Sequence, residues 1–132
     1  MSYALDTNTI SYAIRGEGKV RDKLRSQPFG AVALPSLVLW ELYAWRDAPK
    51  TTRAVRTLIE TIIAPLPVLD LDAAAVRAAS AVRLALQARG RLIGAIDILI
   101  AGTALAHSAT LVTRNKRHLS RVPGLTVEDW YA

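Results

Sequence analysis

The chain of 132 residues has no cysteine, which excludes disulfides, thiolate zinc sites and cysteine nucleophiles together. No apolar run reaches the roughly 18 residues of a membrane span. The N-terminus lacks a basic segment leading into an apolar one, so no secretory leader is expected and a cytoplasmic protein fits best. No linker, internal repeat or low-complexity tract divides the chain, apart from one alanine-rich stretch, so a single domain over residues 1–132 is expected. Hydrophobic residues make up 52%, enough for a real core and too many for a disordered chain.

Acidic residues are also scarce, 11 against 17 Lys and Arg, for a net charge of +6. Arg15, Lys19, Arg21, Lys23 and Arg25 form one basic group, and Arg114, Lys116, Arg117 and Arg121 form another. A solvated surface explains such groups on its own, but basic charge on a small domain also draws polyanions by steering and counterion release. Against this background three carboxylates stand out. Asp6 closes Tyr3-Ala4-Leu5, Glu41 interrupts an apolar run from Leu37 to Trp45, and Asp97 sits between Ile96 and Ile98. An ionised carboxylate removed from water without a partner costs several kcal/mol, roughly. Three of them imply a shared compensating charge, and a divalent cation in a common cleft is the simplest. A metal held by acids and ringed by bases suits a phosphodiester.

Hydrophobic periodicity and turn residues give the order of elements. Residues 2–5 read as a short buried strand, followed by helices over 7–15 and 17–27, the second with Val20 and Leu24 inward. Residues 31–34 form a second strand, and Pro35-Ser36 opens the helix that carries Glu41. After the turn at 47–49 come a helix over about 50–63 and a third strand at Val68-Leu69. Asp72 is a natural N-cap for the alanine-rich helix to about residue 88. Gly94 precedes the Asp97 helix, which runs to about His107; residues 110–113 and 125–127 complete the strands. Short buried strands alternating with helices predict an α/β fold, a three-layer α/β/α sandwich with a mostly parallel sheet of four to five short strands.

Topology then brings the acids together. Parallel sheets place ligands at the carboxyl ends of their strands. Asp6 follows the first strand directly, Glu41 lies about two turns into the helix leaving the second, and Asn115 follows the fourth. Asp97 begins a helix that runs back against the strand direction, so its N-terminus reaches the same edge.

The opening Leu5-Asp6-Thr7-Asn8, the Glu41 helix, Asp97-Ile98-Leu99-Ile100-Ala101 and Leu111-Val112-Thr113-Arg114-Asn115 resemble, in order and spacing, the PIN-domain nucleases. The runs Leu119 to Leu125 and Glu128-Asp129-Trp130 look like the VapC toxin branch of type II toxin–antitoxin systems. The resemblance spans essentially the whole chain. It implies a magnesium-dependent endoribonuclease, with manganese as a substitute, that cuts RNA such as tRNA or another structured RNA and so inhibits translation, leaving 5′-phosphate and 3′-hydroxyl ends. It also implies a VapB-like antitoxin, a homodimer and a higher-order complex with the antitoxin. Many relatives carry a fourth acid where this chain has Asn115, with no acid between Thr113 and Glu128.

Catalytic roles are accordingly expected of Asp6, Glu41, Asp97 and Asn115, with Asp6 and Asp97 as the metal ligands and Glu41 acting through water. Asn115 offers a neutral carbonyl, so one tightly held metal is expected, with a second only when substrate phosphate adds ligands. Thr7, Asn8, Thr113 and Arg114 are expected to support the acids or touch substrate. Capping and helix-dipole roles are the plainer alternatives for Asp6 and Asp97; pairing with Arg46 is the alternative for Glu41. Neither His107 nor His118 is expected to be catalytic. A cyclic-phosphate mechanism needs acid–base groups such as histidine near the site, so direct attack by water is preferred. Trp40, Tyr43 and Trp45, with the apolar residues of the helix over 50–63, suggest a groove or dimer face beyond plain core. Two other readings remain at this point: an RNA-binding module with weak or lost catalysis, and a housekeeping RNA-processing nuclease.

Overall fold

A computed structural model describes residues 2–132. Five parallel strands, β1 (Tyr3–Leu5), β2 (Val32–Pro35), β3 (Val68–Leu69), β4 (Thr110–Val112) and β5 (Val127–Glu128), stand in the order β3-β2-β1-β4-β5. Every pairing is parallel, with Ala4 opposite both Ala33 and Leu111. Parallel neighbours need crossovers, and helices supply them. These are α1 (Thr7–Arg15), α2 (Val20–Ser26), α3 (Ser36–Arg46), α4 (Arg53–Ile63), α5 (Ala73–Ala88), α6 (Ala95–Ala106) and the single turn α7 (Lys116–Leu119). The α/β architecture and the parallel sheet expected from the sequence are both present.

The core runs along the central strands. Ala4, Leu5, Leu34, Leu111 and Val112 are fully buried, and Ile10, Val38, Leu42 and Ile59 close over them from the helices. Strands covered on both faces must be apolar throughout, which explains why β2 and β4 show no alternation. The expected capping holds at Asp72, whose side chain accepts the N–H of Ala75 at 2.9 Å. The tightest helix contact joins α5 and α6: a Cβ placed on Gly102 would lie 2.6 Å from the Cβ of Ala79.

Three elements differ from expectation. Helix α2 begins at Val20 rather than residue 17, because Gly16 and Gly18 adopt left-handed φ angles of 73° and 60° that end α1 and turn the chain. At Gly18 the turn also brings the backbone against Tyr131, whose carbonyl accepts the Lys19 N–H at 2.8 Å. Strand β5 sits two residues later than the apolar run 125–127, since pairing of Val127 with Leu111 sets its register. The helical turn α7 lies in a segment where no element was expected.

Candidate metal centre

The start of α1, the middle of α3 and the N-terminal part of α6 enclose one pocket, of about 270 Å³, lined by Asp6, Thr7, Asn8, Glu41 and Asp97 with Gly94, Ala95, Ile96 and Ile100. Residues 91 positions apart in the chain meet here because each lies at the same edge of the sheet. Asp6 is fixed from two sides: its N–H donates to the Val112 carbonyl at 3.2 Å, and Oδ1 accepts the Thr9 N–H at 2.8 Å. It therefore caps α1 and lines the pocket at once. It is 7% exposed, so its charge is held among apolar strands.

Glu41 is half-buried, and its Oε1 accepts a 2.5 Å hydrogen bond from the Thr7 hydroxyl. The alternative partner, Arg46, turns instead to its neighbour Asp47 at 2.9 Å, at the end of α3. Asp97 lies in the first turn of α6, where the helix dipole favours an anion. Even so, its carboxyl titrates above the usual carboxylate range. Burial is the largest cause, followed by the charges of Asp6 and then Glu41, while His118 acts in the opposite direction. The charges of Asp6 and Glu41 thus repel that of Asp97 and disfavour its ionisation.

That mutual repulsion is the test of whether a cation fits. The donors are all oxygen, the hard set preferred by magnesium and manganese. A divalent charge would relieve both the desolvation and the repulsion felt by Asp97. Among the described residues, no three His, Cys, Asp or Glu side chains close around a single point. Magnesium commonly takes one or two carboxylates and keeps several waters, which suits a pocket of this spacing.

The remaining sequence candidates lie apart from the pocket lining. Thr113 is fully buried, and its hydroxyl accepts the Asn115 N–H at 3.0 Å. Asn115 is half-buried and precedes α7 without a side-chain capping bond. Arg114 stacks 3.8 Å above the Tyr131 ring and pairs with Asp129 at 3.7 Å, which ties the C-terminal residues to the end of β4. Conversely, His118 was set aside in the sequence, yet its charge reaches Asp97. It comes near through α7, a four-residue turn too short to carry a periodic signal.

On the α3–α4 side, Ile59 is core and Val55, Ile62 and Ile63 pack against it, whereas Trp40 and Tyr43 remain 63% and 42% exposed. The apolar excess of α4 is therefore mostly core, and the exposed aromatic surface is on α3.

The chain matches the PIN-domain family over residues 3–125. It is 32% identical over 131 residues to a protein of Shigella flexneri named tRNA(fMet)-specific endonuclease VapC, covering 98% of each chain. A Rickettsia felis protein named ribonuclease VapC2 is 31% identical over 132 residues, again with 98% of each covered. Among solved structures, DNA-bound VapBC from Salmonella typhimurium superposes with a TM-score of 0.87 at 30% identity, covering 98% of both chains.

Proposed function

The chain belongs to the PIN-domain family, and from that premise we propose that it is the toxin of a VapBC-type toxin–antitoxin pair, an endoribonuclease that blocks translation by cutting RNA. The observation that carries the reading is the single pocket lined by Asp6, Glu41 and Asp97, in which burial and the neighbouring acids oppose the charge of Asp97.

Asp6 and Asp97 are the residues that hold a divalent cation, magnesium or manganese. When bound there, the cation supplies Lewis acidity: it makes water acidic enough to attack at neutral pH and offsets charge building on the phosphate. Glu41, oriented by the Thr7 hydroxyl, positions the attacking water and takes its proton. Asn8 is exposed at the mouth of the pocket and meets the substrate phosphate. Ile96 and Ile100 give the pocket an apolar wall beside the acids, which lowers the local dielectric and strengthens the charge interactions inside. Lys116 and Arg117 lie exposed on α7 and add positive charge after β4.

The relatives' names favour tRNA as the first substrate to test, and their complexes support a VapB-like antitoxin as the resting partner. The exposed Trp40 and Tyr43 offer apolar surface of the kind that antitoxin and a second copy of the chain would cover. Purified protein incubated with total cellular RNA, with magnesium or with chelator, tests the activity. Discrete fragments with 5′-phosphate ends, formed only with magnesium and absent with Asp6→Asn, are expected. RNA that is bound but left intact under both magnesium and manganese would point to a binding module.

A further inference from the structure

A second cleft, of about 420 Å³, lies between α5 and the segment leading into α6, with Val76, Ser80, Arg83, Leu92, Ile93 and Ala95 among its walls. Its size falls within the ~300–1,000 Å³ of small-ligand sites. Ala95 lines both this cleft and the acidic pocket, so the residues from 93 to 97 form a partition between them. The walls are apolar and open to solvent: Val76 is 49% and Leu92 53% exposed. Arg83 in the lining has the opposite character, and the chain around the cleft shares it. From Ala73 to Ile96 the chain has arginines at 77, 83, 89 and 91 and neither aspartate nor glutamate. All four arginines are exposed, and among the described residues no carboxylate forms an ion pair with any of them.

An apolar slot with the unpaired guanidinium of Arg83 in its lining, sharing a wall with a phosphodiester-cleaving site, has the chemistry of a nucleotide site. Flat base faces lie well against aliphatic walls, and arginines meet the phosphates on either side. A second copy of this chain, itself at +6, would bring net positive charge towards Arg83 and the arginine-rich stretch that carries it, which disfavours it as the occupant. Resting on the reading of the substrate as RNA, we propose that this cleft receives one unstacked nucleobase beside the scissile phosphate, with Arg83 and the 89–91 loop on the flanking phosphates. Ser80 and Arg83 supply the only polar side chains of the lining and so read the edge of that base.

The test uses the mapped RNA substrate and copies carrying an abasic nucleotide at each position flanking the cut. Ser80 is exposed, so Ser80→Trp fills the cleft without touching the acids. One abasic position should lower wild-type kcat/KM roughly ten- to a hundredfold, the usual weight of one stacked base. Ser80→Trp should lose a similar factor on intact RNA and no longer distinguish that abasic copy; Arg83→Glu should weaken binding of both. Wild-type rates in Ser80→Trp, or lost activity with discrimination kept, overturn the proposal. So does lost activity that accompanies a changed mass by light scattering, which would make the cleft an interface between copies. Binding to Asp97→Asn protein, read by 2-aminopurine fluorescence at the same position, separates this proposal from the nuclease reading. A fluorescence change abolished by Ser80→Trp, with no cleavage by wild type, retains the cleft and sinks the nuclease; absence of both signals sinks both.

Discussion

Gly102→Ala offers a sharp test of how the fold positions the site. In an isolated helix the change is favourable, since alanine is preferred to glycine by about 1 kcal/mol. In this protein the new Cβ would stand 2.6 Å from both the Cβ and the N of Ala79 and 2.7 Å from its Cα. These are backbone-fixed atoms that no rotamer change can remove. Carbon atoms need about 3.5–4.0 Å, so α5 and α6 must part by roughly 1 Å at their crossing. Overpacking of this kind costs about 1–3 kcal/mol, and rigid backbone atoms place it at the upper end. The net expectation is destabilisation by about 2 kcal/mol, or a melting point lower by about 6–10 °C. Because Asp97 rides on the same helix, cleavage should fall along with stability even well below the melting point. Thermal melts and urea titrations of the two proteins measure the first effect. Gly94→Ala is the control, since its Cβ meets nothing within 4 Å and should be nearly neutral in stability. A Gly102→Ala protein as stable as wild type would refute the reasoning, because helix propensity would then have outweighed the contact.

Two further outcomes follow from the acids. Asp97→Asn should cut activity at least about hundredfold, the scale of a lost catalytic group, while the metal-free protein becomes more stable at pH 7. The sign comes from the raised folded pKa: ionisation of Asp97 opposes folding, so wild-type stability in chelator should fall as pH climbs from 3.8 through the folded value. Urea midpoints measured across that range should show a shallower decline for the variant, and equal slopes would contradict the crowding of the three acids. Thr7→Val removes the donor to Glu41 Oε1 and should cost about 0.5–1.5 kcal/mol of stability, with a lower kcat and little change in metal affinity. Unchanged kcat in single-turnover assays would show that Thr7 does not orient Glu41.

Much of this was legible because the strands are short and apolar and the acids interrupt them. Asp6, Glu41 and Asp97 each break a hydrophobic run, and parallel topology alone predicts their meeting at one edge. What escaped the sequence depends on contacts between distant segments. Strand β5 takes its register from β4, not from its own apolar pattern. The approach of His118 to Asp97 needs α7, a turn that only tertiary packing stabilises. Gly102 reads as a weak point in an apolar helix until Ala79 is seen against it. The stacking of Arg114 on the ring of Tyr131, near in space and distant in sequence, likewise left no mark in the sequence pattern.

The central claim is that Asp6 and Asp97 together hold a divalent cation. Titration with manganese, following the free ion by electron paramagnetic resonance, tests it without dependence on any RNA. Wild-type protein should bind one ion tightly, Asp6→Asn and Asp97→Asn should lose that site, and Glu41→Gln should retain most of its affinity. Wild-type protein that takes up no manganese at millimolar concentration, or aspartate variants that bind as wild type does, would contradict the account.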